Sequence, residues 1–114
     1  MRRCEISFLF VDNGEITLIN KKYFGKDRPT DVIAFPQDFC SPTVNSEIYN
    51  LGDVVISVEQ AMIQSKRLRK TFASEIALLI VHGILHLVGY DDRKPTARRK
   101  MRSMEKRLLA RIAG

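Results

Sequence analysis

The two histidines of the chain, His82 and His86, lie four residues apart in the segment VHGILHLVGYDD. On a helix, residues at this spacing lie one turn apart on the same face, so both imidazoles can bind one metal ion. Gly89 is suited to end that helix, because glycine readily takes the left-handed conformation found just past helix ends. The chain can then turn back and bring Asp91 or Asp92 toward the histidines. The sequence therefore predicts a metal site of the pattern H-x3-H-x5-D, formed by His82, His86 and Asp92, with water in the remaining position.

The alternative for each histidine is a core residue satisfied by a hydrogen bond. Two histidines on one face, followed by a glycine and two carboxylates, favour the metal site over that alternative. Position 83 restricts the chemistry further. In H-E-x-x-H metallopeptidases a glutamate after the first histidine is the general base, and here that residue is Gly83. A hydrolase built on this site must therefore activate water in another way.

The positive charge is concentrated behind this motif. The chain has 114 residues and a net charge of +6, yet residues 93–114 contain nine Lys/Arg and a single acid, Glu105. A basic segment directly after a metal motif favours a polyanionic partner such as RNA. The alternative is a solvated helix face, which is the commoner meaning of a charge run by itself.

Hydrophobic periodicity and turn signals predict an α+β fold in a single domain, residues 1–114, in which a small mixed sheet packs against helices. The helix that carries the histidines begins at Thr71 and is apolar on nearly all sides, so it should be the central, buried element. The predicted strands span 2–11, 31–35 and 51–57, and the predicted helices span 13–23, 58–69, 71–88 and a final segment from 95.

The cysteine pattern and the hydropathy of the chain indicate where in the cell the protein is located. Cys4 and Cys40 are far apart and form no C-x-x-C pattern, which favours free, reduced thiols over a disulfide. The N-terminus has no uninterrupted apolar core, and the longest apolar stretch is too short and too polar to span a bilayer. We therefore expect a cytoplasmic protein without a membrane partner.

Three segments carry a resemblance to a known family. HGILHLVGYDD resembles the H-G-x-L-H-L-x-G-Y-D-H signature of the YbeY family, the bacterial rRNA maturation factors. NKKYFGKDRPTDVIAFP is similar to the family pattern N-x-x-Y-R-G-K-D-x-P-T-D-V-L-S-F-P, and LGDVVIS is similar to L-G-D-I-V-I-S. The three segments occur in the family's order, and the resemblance covers nearly the whole chain. The chain begins near the family's second strand, so the resemblance implies a shortened N-terminus.

The resemblance implies a zincin-like three-layer arrangement and a zinc-dependent, single-strand-specific endoribonuclease. Its role would be ribosomal RNA processing, namely 16S rRNA 3′ end maturation, and ribosome biogenesis. One Zn²⁺ per chain would be bound by His82, His86 and Asp92, which would also be the catalytic residues. The implied partners are ribosomal RNA and the small ribosomal subunit, with a small-subunit ribosomal protein and a ribosome-associated GTPase.

The chain departs from the family pattern at two functional positions. Asp92 stands where the family has its third histidine, and carboxylate oxygen is an acceptable zinc ligand. Phe24 stands where the family has an arginine, which could hold a phosphate by paired hydrogen bonds. Two further functions are therefore open, a family member that binds RNA or the ribosome without cleavage and a metal hydrolase of another substrate. Basic residues proposed to contact RNA, the first two as replacements for the missing arginine, are Lys26, Arg28, Arg93, Arg98 and Arg99.

Overall fold

The computed structural model describes residues 3–37 and 48–113, which form three strands and four helices. Three of the helices begin at an aspartate, serine or threonine whose side chain caps the first turn, the residue types that favour this position. Asp12, Ser57 and Thr71 each accept a hydrogen bond from the backbone N–H three residues further on, at 2.8, 3.1 and 3.0 Å. In chain order the elements are β1 (Arg3–Val11), α1 (Asn13–Phe24), β2 (Val32–Pro36), β3 (Ile48–Ser57), α2 (Val58–Arg67), α3 (Phe72–Leu87) and α4 (Pro95–Ala113).

The three strands form one mixed sheet in the order β1-β3-β2. β1 runs parallel to β3, and β2 runs antiparallel to it. The central strand β3 is buried on both faces around Val54, Val55 and Ile56, as expected for the continuous apolar run in its sequence. The α+β class with a small mixed sheet, predicted from the sequence, is confirmed.

Helices cover both faces of the sheet. α1 packs on one face, where Ile16 joins Val55 in a buried cluster. α2 and α3 cover the other face, where Leu79 packs with Val54. α4 lies on the outer side of α3, with Met101 in contact with the α3 residues of a third cluster. α3 is therefore enclosed between the sheet and α4, which makes it the central element that the sequence predicts.

Several local predictions differ from the structure. The helical spacing of the apolar residues in 13–23 predicts Ile16, Ile19 and Tyr23 in the core, with Leu18 at its edge. Leu18 and Tyr23 are instead 69% and 58% exposed, because the sheet covers only the Ile16 side of α1. β3 begins at Ile48, three residues before the predicted start, so the predicted loop 37–50 is shorter at that end. Residues 38–47 of that loop, with Cys40, lie outside the described residues, whereas Cys4 is an exposed free thiol.

Within the described ranges, no individual helix combines the length and apolarity needed to cross a membrane. The pair α2 and α3 meets those two criteria only when taken together, and it is bent by 119° at its break.

Candidate metal centre and cleft

The last two turns of α3 and the turn after it bring the three predicted ligands together. The Nε2 atoms of His82 and His86 are 3.1 Å apart. The Oδ2 atom of Asp92 lies 3.9 Å from Nε2 of His82 and 4.0 Å from Nε2 of His86. The two imidazoles are about a quarter exposed and Asp92 about half exposed, so the three donor atoms converge at the surface of a buried helix.

The spacing of these donor atoms fits a small divalent ion. The point that is equidistant from the three atoms in their common plane lies about 2.1 Å from each, which matches Zn–N and Zn–O bond lengths of about 2.0–2.2 Å. Two imidazole nitrogens and one carboxylate oxygen form a donor set that Zn²⁺ accepts, with room for a fourth ligand on the open side. The residues present therefore fit the metal that the motif predicts.

Asp91, the alternative third ligand, is engaged elsewhere. Its carboxylate accepts hydrogen bonds from the backbone N–H of Arg93 at 2.7 Å and from Arg93 Nε at 2.9 Å. The hydrogen bonds from Arg93 lower the pKa of Asp91. The structure therefore brings Asp92 rather than Asp91 to the histidines, and it places Arg93 in a local pair outside the cleft.

A carboxylate from α4 holds the first histidine. Oε1 of Glu105 lies 2.5 Å from Nδ1 of His82, and the Glu105 side chain is only 12% exposed. When Nδ1–H donates to this carboxylate, the lone pair of Nε2 is left facing His86 and Asp92, as metal binding requires. Glu105 thus fixes both the tautomer and the orientation of the His82 ring.

His86 is set up to remain neutral. Burial lowers its pKa, and the neighbouring His82 lowers it further, while the carboxylate of Asp92 acts in the opposite direction. Neutral imidazole is the form that binds a metal ion. The environment of His86 therefore favours the metal-binding form.

Gly83, between the two histidines, faces the sheet. A Cβ atom added there would lie 2.5 Å from Cγ1 and 3.0 Å from Cγ2 of Val54, which is fully buried on β3. The close approach of α3 to β3 therefore requires glycine at this position. It also leaves no space on that side of the helix for the glutamate base of the metallopeptidases.

A cleft of about 460 Å³ opens beside the three ligands. It runs from the ligands to the C-terminal end of α1, the following loop and β2. Its lining includes Phe24, Lys26 and Arg28, so the structure brings three residues singled out in the sequence to one cavity with the ligands. The loop is tied to α1 by the buried Asn20, whose Nδ2 donates to the carbonyl oxygen of Arg28 at 2.9 Å.

A smaller cavity of about 140 Å³ lies on the α4 side of His82 and Asp92. Arg98, which was predicted to contact RNA, lines it together with Arg102. Arg99 is exposed on α4 and lines neither this cavity nor the cleft. Cations therefore flank the ligands on two sides, from the α1–β2 loop and from α4.

Sequence reasoning missed two residues of this centre, Glu105 and Arg102. The signal for Glu105 was present, since it is the single acid among nine cations and follows the core residue Met101 by one helical turn. Glu75 lies seven residues before His82 on the same helix face, from which a carboxylate could support the histidine. The structure instead places it buried near Lys70, with 3.7 Å between its Oε2 and the Lys70 Nζ.

Comparison with known proteins identifies relatives over nearly the whole chain. The family model described as Endoribonuclease YbeY matches residues 1–113. The Endoribonuclease YbeY of Thermoanaerobacter sp. (strain X514) is 40% identical over 117 residues, covering 95% of this chain and 74% of the relative. That of Sulfurihydrogenibium sp. (strain YO3AOP1) is 46% identical over 91 residues, covering 80% of this chain and 58% of the relative. The fold is similar to the solution structure of a Thermotoga maritima protein, with a TM-score of 0.59 and 24% identity over 95% of this chain and 70% of that one.

Proposed function

Because the chain belongs to the Endoribonuclease YbeY family, we propose that it is a metal-dependent endoribonuclease that cleaves single-stranded RNA during ribosomal RNA processing. The observation that carries this proposal is the convergence of three metal-binding atoms, from His82, His86 and Asp92, at the end of a cleft bordered by cations. The family relationship indicates RNA as the substrate class. The geometry provides a metal-binding site and nearby cations that could act on a phosphodiester.

The protein's own residues hold and orient the reacting groups. His82, His86 and Asp92 would bind one Zn²⁺, and Glu105 would keep His82 in the tautomer that binds it. When bound, the ion supplies a Lewis acid that polarises a phosphoryl oxygen and makes a water molecule more acidic.

Within the described residues, the side chains that line the cleft include one further carboxylate, Asp31. Its two oxygens accept hydrogen bonds from the backbone N–H of Val32 at 2.8 Å and from Nε2 of Gln64 at 3.2 Å. Through these two hydrogen bonds the Asp31 carboxylate stabilises the start of β2 and its contact with α2. Acid–base chemistry in the cleft is therefore concentrated at the metal ligands, in agreement with glycine at position 83.

The cations on either side of the ligands would hold the RNA backbone. Lys26 and Arg28 lie on the α1–β2 loop, and Arg98 and Arg102 lie on the first half of α4. A strand that crosses the ligands between these two pairs places a phosphate beside the metal position. Such binding should weaken as the salt concentration rises, because each contacted phosphate releases counterions.

Family membership further supports a role in 16S rRNA 3′ end maturation and ribosome biogenesis in the cytoplasm. On this proposal the substrate is presented on the small ribosomal subunit, where a small-subunit ribosomal protein and a ribosome-associated GTPase are partners. The exposed, strongly basic face of α4 is consistent with docking onto a ribonucleoprotein surface.

The deciding experiment measures cleavage of single-stranded RNA by the purified protein with and without a chelator, alongside metal content by mass spectrometry for the wild type and Asp92→Ala. We expect about one zinc per chain, loss of most of it in the variant, and cleavage that the chelator abolishes. Cleavage that persists in chelator would contradict a metal-dependent reaction. Zinc retained in Asp92→Ala would mean that Asp91 or water supplies the third position, so that zinc binding does not depend on Asp92.

The main alternative is a family member that binds RNA without cutting it. Phe24, at the position of the family's arginine, favours this alternative, because it cannot hold a phosphate by charge. It predicts saturable binding of single-stranded RNA and no turnover at high protein concentration, with zinc still present.

A further inference from the structure

The C-terminal residue of α1, Phe24, presents an aromatic ring to the cleft that holds the metal ligands. The side chain is 52% exposed and lines the same cavity as His82, His86 and Asp92. We propose that Phe24 stacks on a nucleobase of single-stranded RNA next to the phosphate bound at the metal ligands. The inference rests on RNA as the proposed substrate, and it assigns to Phe24 a binding role different from that of an arginine.

The Phe24 ring packs against other aromatic side chains of the protein. Phe35 on β2 stacks against Phe24 with a centroid separation of 6.0 Å and an interplanar angle of 23°. The rings of Tyr23 and Phe35 pack in a T-shaped arrangement with a centroid separation of 5.1 Å, which completes a small aromatic cluster. Since Phe35 is itself partly buried against the α1 side of the sheet, the cluster anchors the Phe24 ring to the fold. A preorganised ring with exposed surface can accept a base with little loss of conformational entropy.

The surroundings of the ring favour a nucleotide over an apolar protein side chain. Lys26 and Arg28, which line the same cavity, have no carboxylate within 4.0 Å in the described part of the chain. An aromatic ring beside cations that can bind phosphates is the arrangement by which proteins bind single-stranded nucleic acids. Lys26 and Arg28 thus complement a phosphodiester, and the ring complements the base attached to it.

Stacking also accounts for selection of single strands. In an A-form duplex the faces of the bases are covered by their neighbours, whereas unpaired bases can turn outward onto an aromatic side chain. Every base offers a π-face, so the contact should tolerate different sequences. Phe24 would thereby discriminate between single- and double-stranded RNA without reading sequence.

The test compares Phe24→Leu, which keeps apolar bulk but loses the ring, with Phe24→Trp, which keeps a ring. Dissociation constants for a short fluorescent single-stranded RNA are measured by anisotropy on the full chain, with chelator and without. We expect Phe24→Leu to bind about 5- to 100-fold more weakly and Phe24→Trp to bind at least as tightly as the wild type. Leu18→Ala, which changes another exposed apolar residue of α1, should leave the affinity unchanged.

An RNA with abasic positions provides the second arm. The wild type should lose affinity for it, and the difference between wild type and Phe24→Leu should disappear. Equal affinity of Phe24→Leu and wild type for intact single strands would overturn the proposal, as would an equal loss for single strands and duplexes. Because binding is measured apart from cleavage, a protein that binds through Phe24 but never cuts would refute the nuclease activity and leave this inference standing.

Discussion

Substituting Gly83 by alanine tests how closely the metal-site helix must approach the sheet. The added Cβ would lie 2.5 Å from Cγ1 of Val54, nearly an ångström inside ordinary van der Waals contact. Val54 is fully buried, and its β-branched side chain has few alternative rotamers. The clash is therefore relieved only by moving α3 away from β3 or by displacing Val54 into its packed neighbours.

The free energy of unfolding of Gly83→Ala should be lower than that of the wild type, although alanine has a better helix propensity than glycine. Overpacking in a tight core costs about 1–3 kcal/mol, and the rigid neighbour places Gly83→Ala near the upper end of that range. Replacing a helical glycine by alanine recovers about 1 kcal/mol. We expect a net loss of about 2 kcal/mol, a large share of the roughly 5–15 kcal/mol that stabilises a typical domain.

Urea unfolding followed by circular dichroism on Gly83→Ala, Val54→Ala and the double variant measures this effect. Val54→Ala alone should cost about 2 kcal/mol, from two buried methyl groups and the cavity they leave. Because truncating Val54 removes the atoms with which the alanine methyl at position 83 would clash, the double variant should be about 3 kcal/mol more stable than the sum of the single effects. Additive losses, or a Gly83→Ala variant as stable as the wild type, would refute the reasoning.

Three further predictions concern the metal ligands, the cleft and the sheet. Glu105→Gln should weaken Zn²⁺ binding about 10- to 100-fold in competition with a chromogenic chelator, and an unchanged affinity would mean that Glu105 does not orient the histidine. Replacing Lys26 and Arg28 together by alanine should reduce the slope of log affinity for single-stranded RNA against log salt by about 1.4, and an unaltered slope would exclude them from phosphate contact. Gly52→Ala should lower the free energy of unfolding in urea more than Gly83→Ala does. The added Cβ would lie 2.2 Å from a backbone carbonyl oxygen of β2, and residue 52 has a φ of +136°, which side chains disfavour. A smaller loss than that of Gly83→Ala would contradict this ranking.

Local features of the sequence were sufficient to predict the individual elements. The capping side chains of Asp12, Ser57 and Thr71 bind backbone N–H groups only three residues away. His82 and His86 are separated by one helical turn. Such short-range geometry is set by the backbone whatever the rest of the molecule does. The position of α3 at the centre was also predictable, because a helix that is apolar on nearly all sides must be covered on nearly all sides.

Predictions that depended on which surface another element covers were less successful. Leu18 and Tyr23 follow the apolar pattern of α1, yet the sheet covers only the side of the helix that carries Ile16. Periodicity shows which residues share a helix face, but the extent of the face that is buried depends on the width and position of the sheet. That information lies in the packing of distant segments.

The sequence by itself determined the metal-binding pattern, the central helix and the concentration of positive charge after it, since each is a property of neighbouring residues. Only the tertiary structure decided that Asp92 rather than Asp91 faces the histidines, that Glu105 holds His82, and that Phe24 shares their cleft. Glu105 is 23 residues from His82, and Phe24 is farther still. Contacts over such separations arise from how α1, α4 and the sheet pack around α3, and no local pattern in the chain encodes that packing.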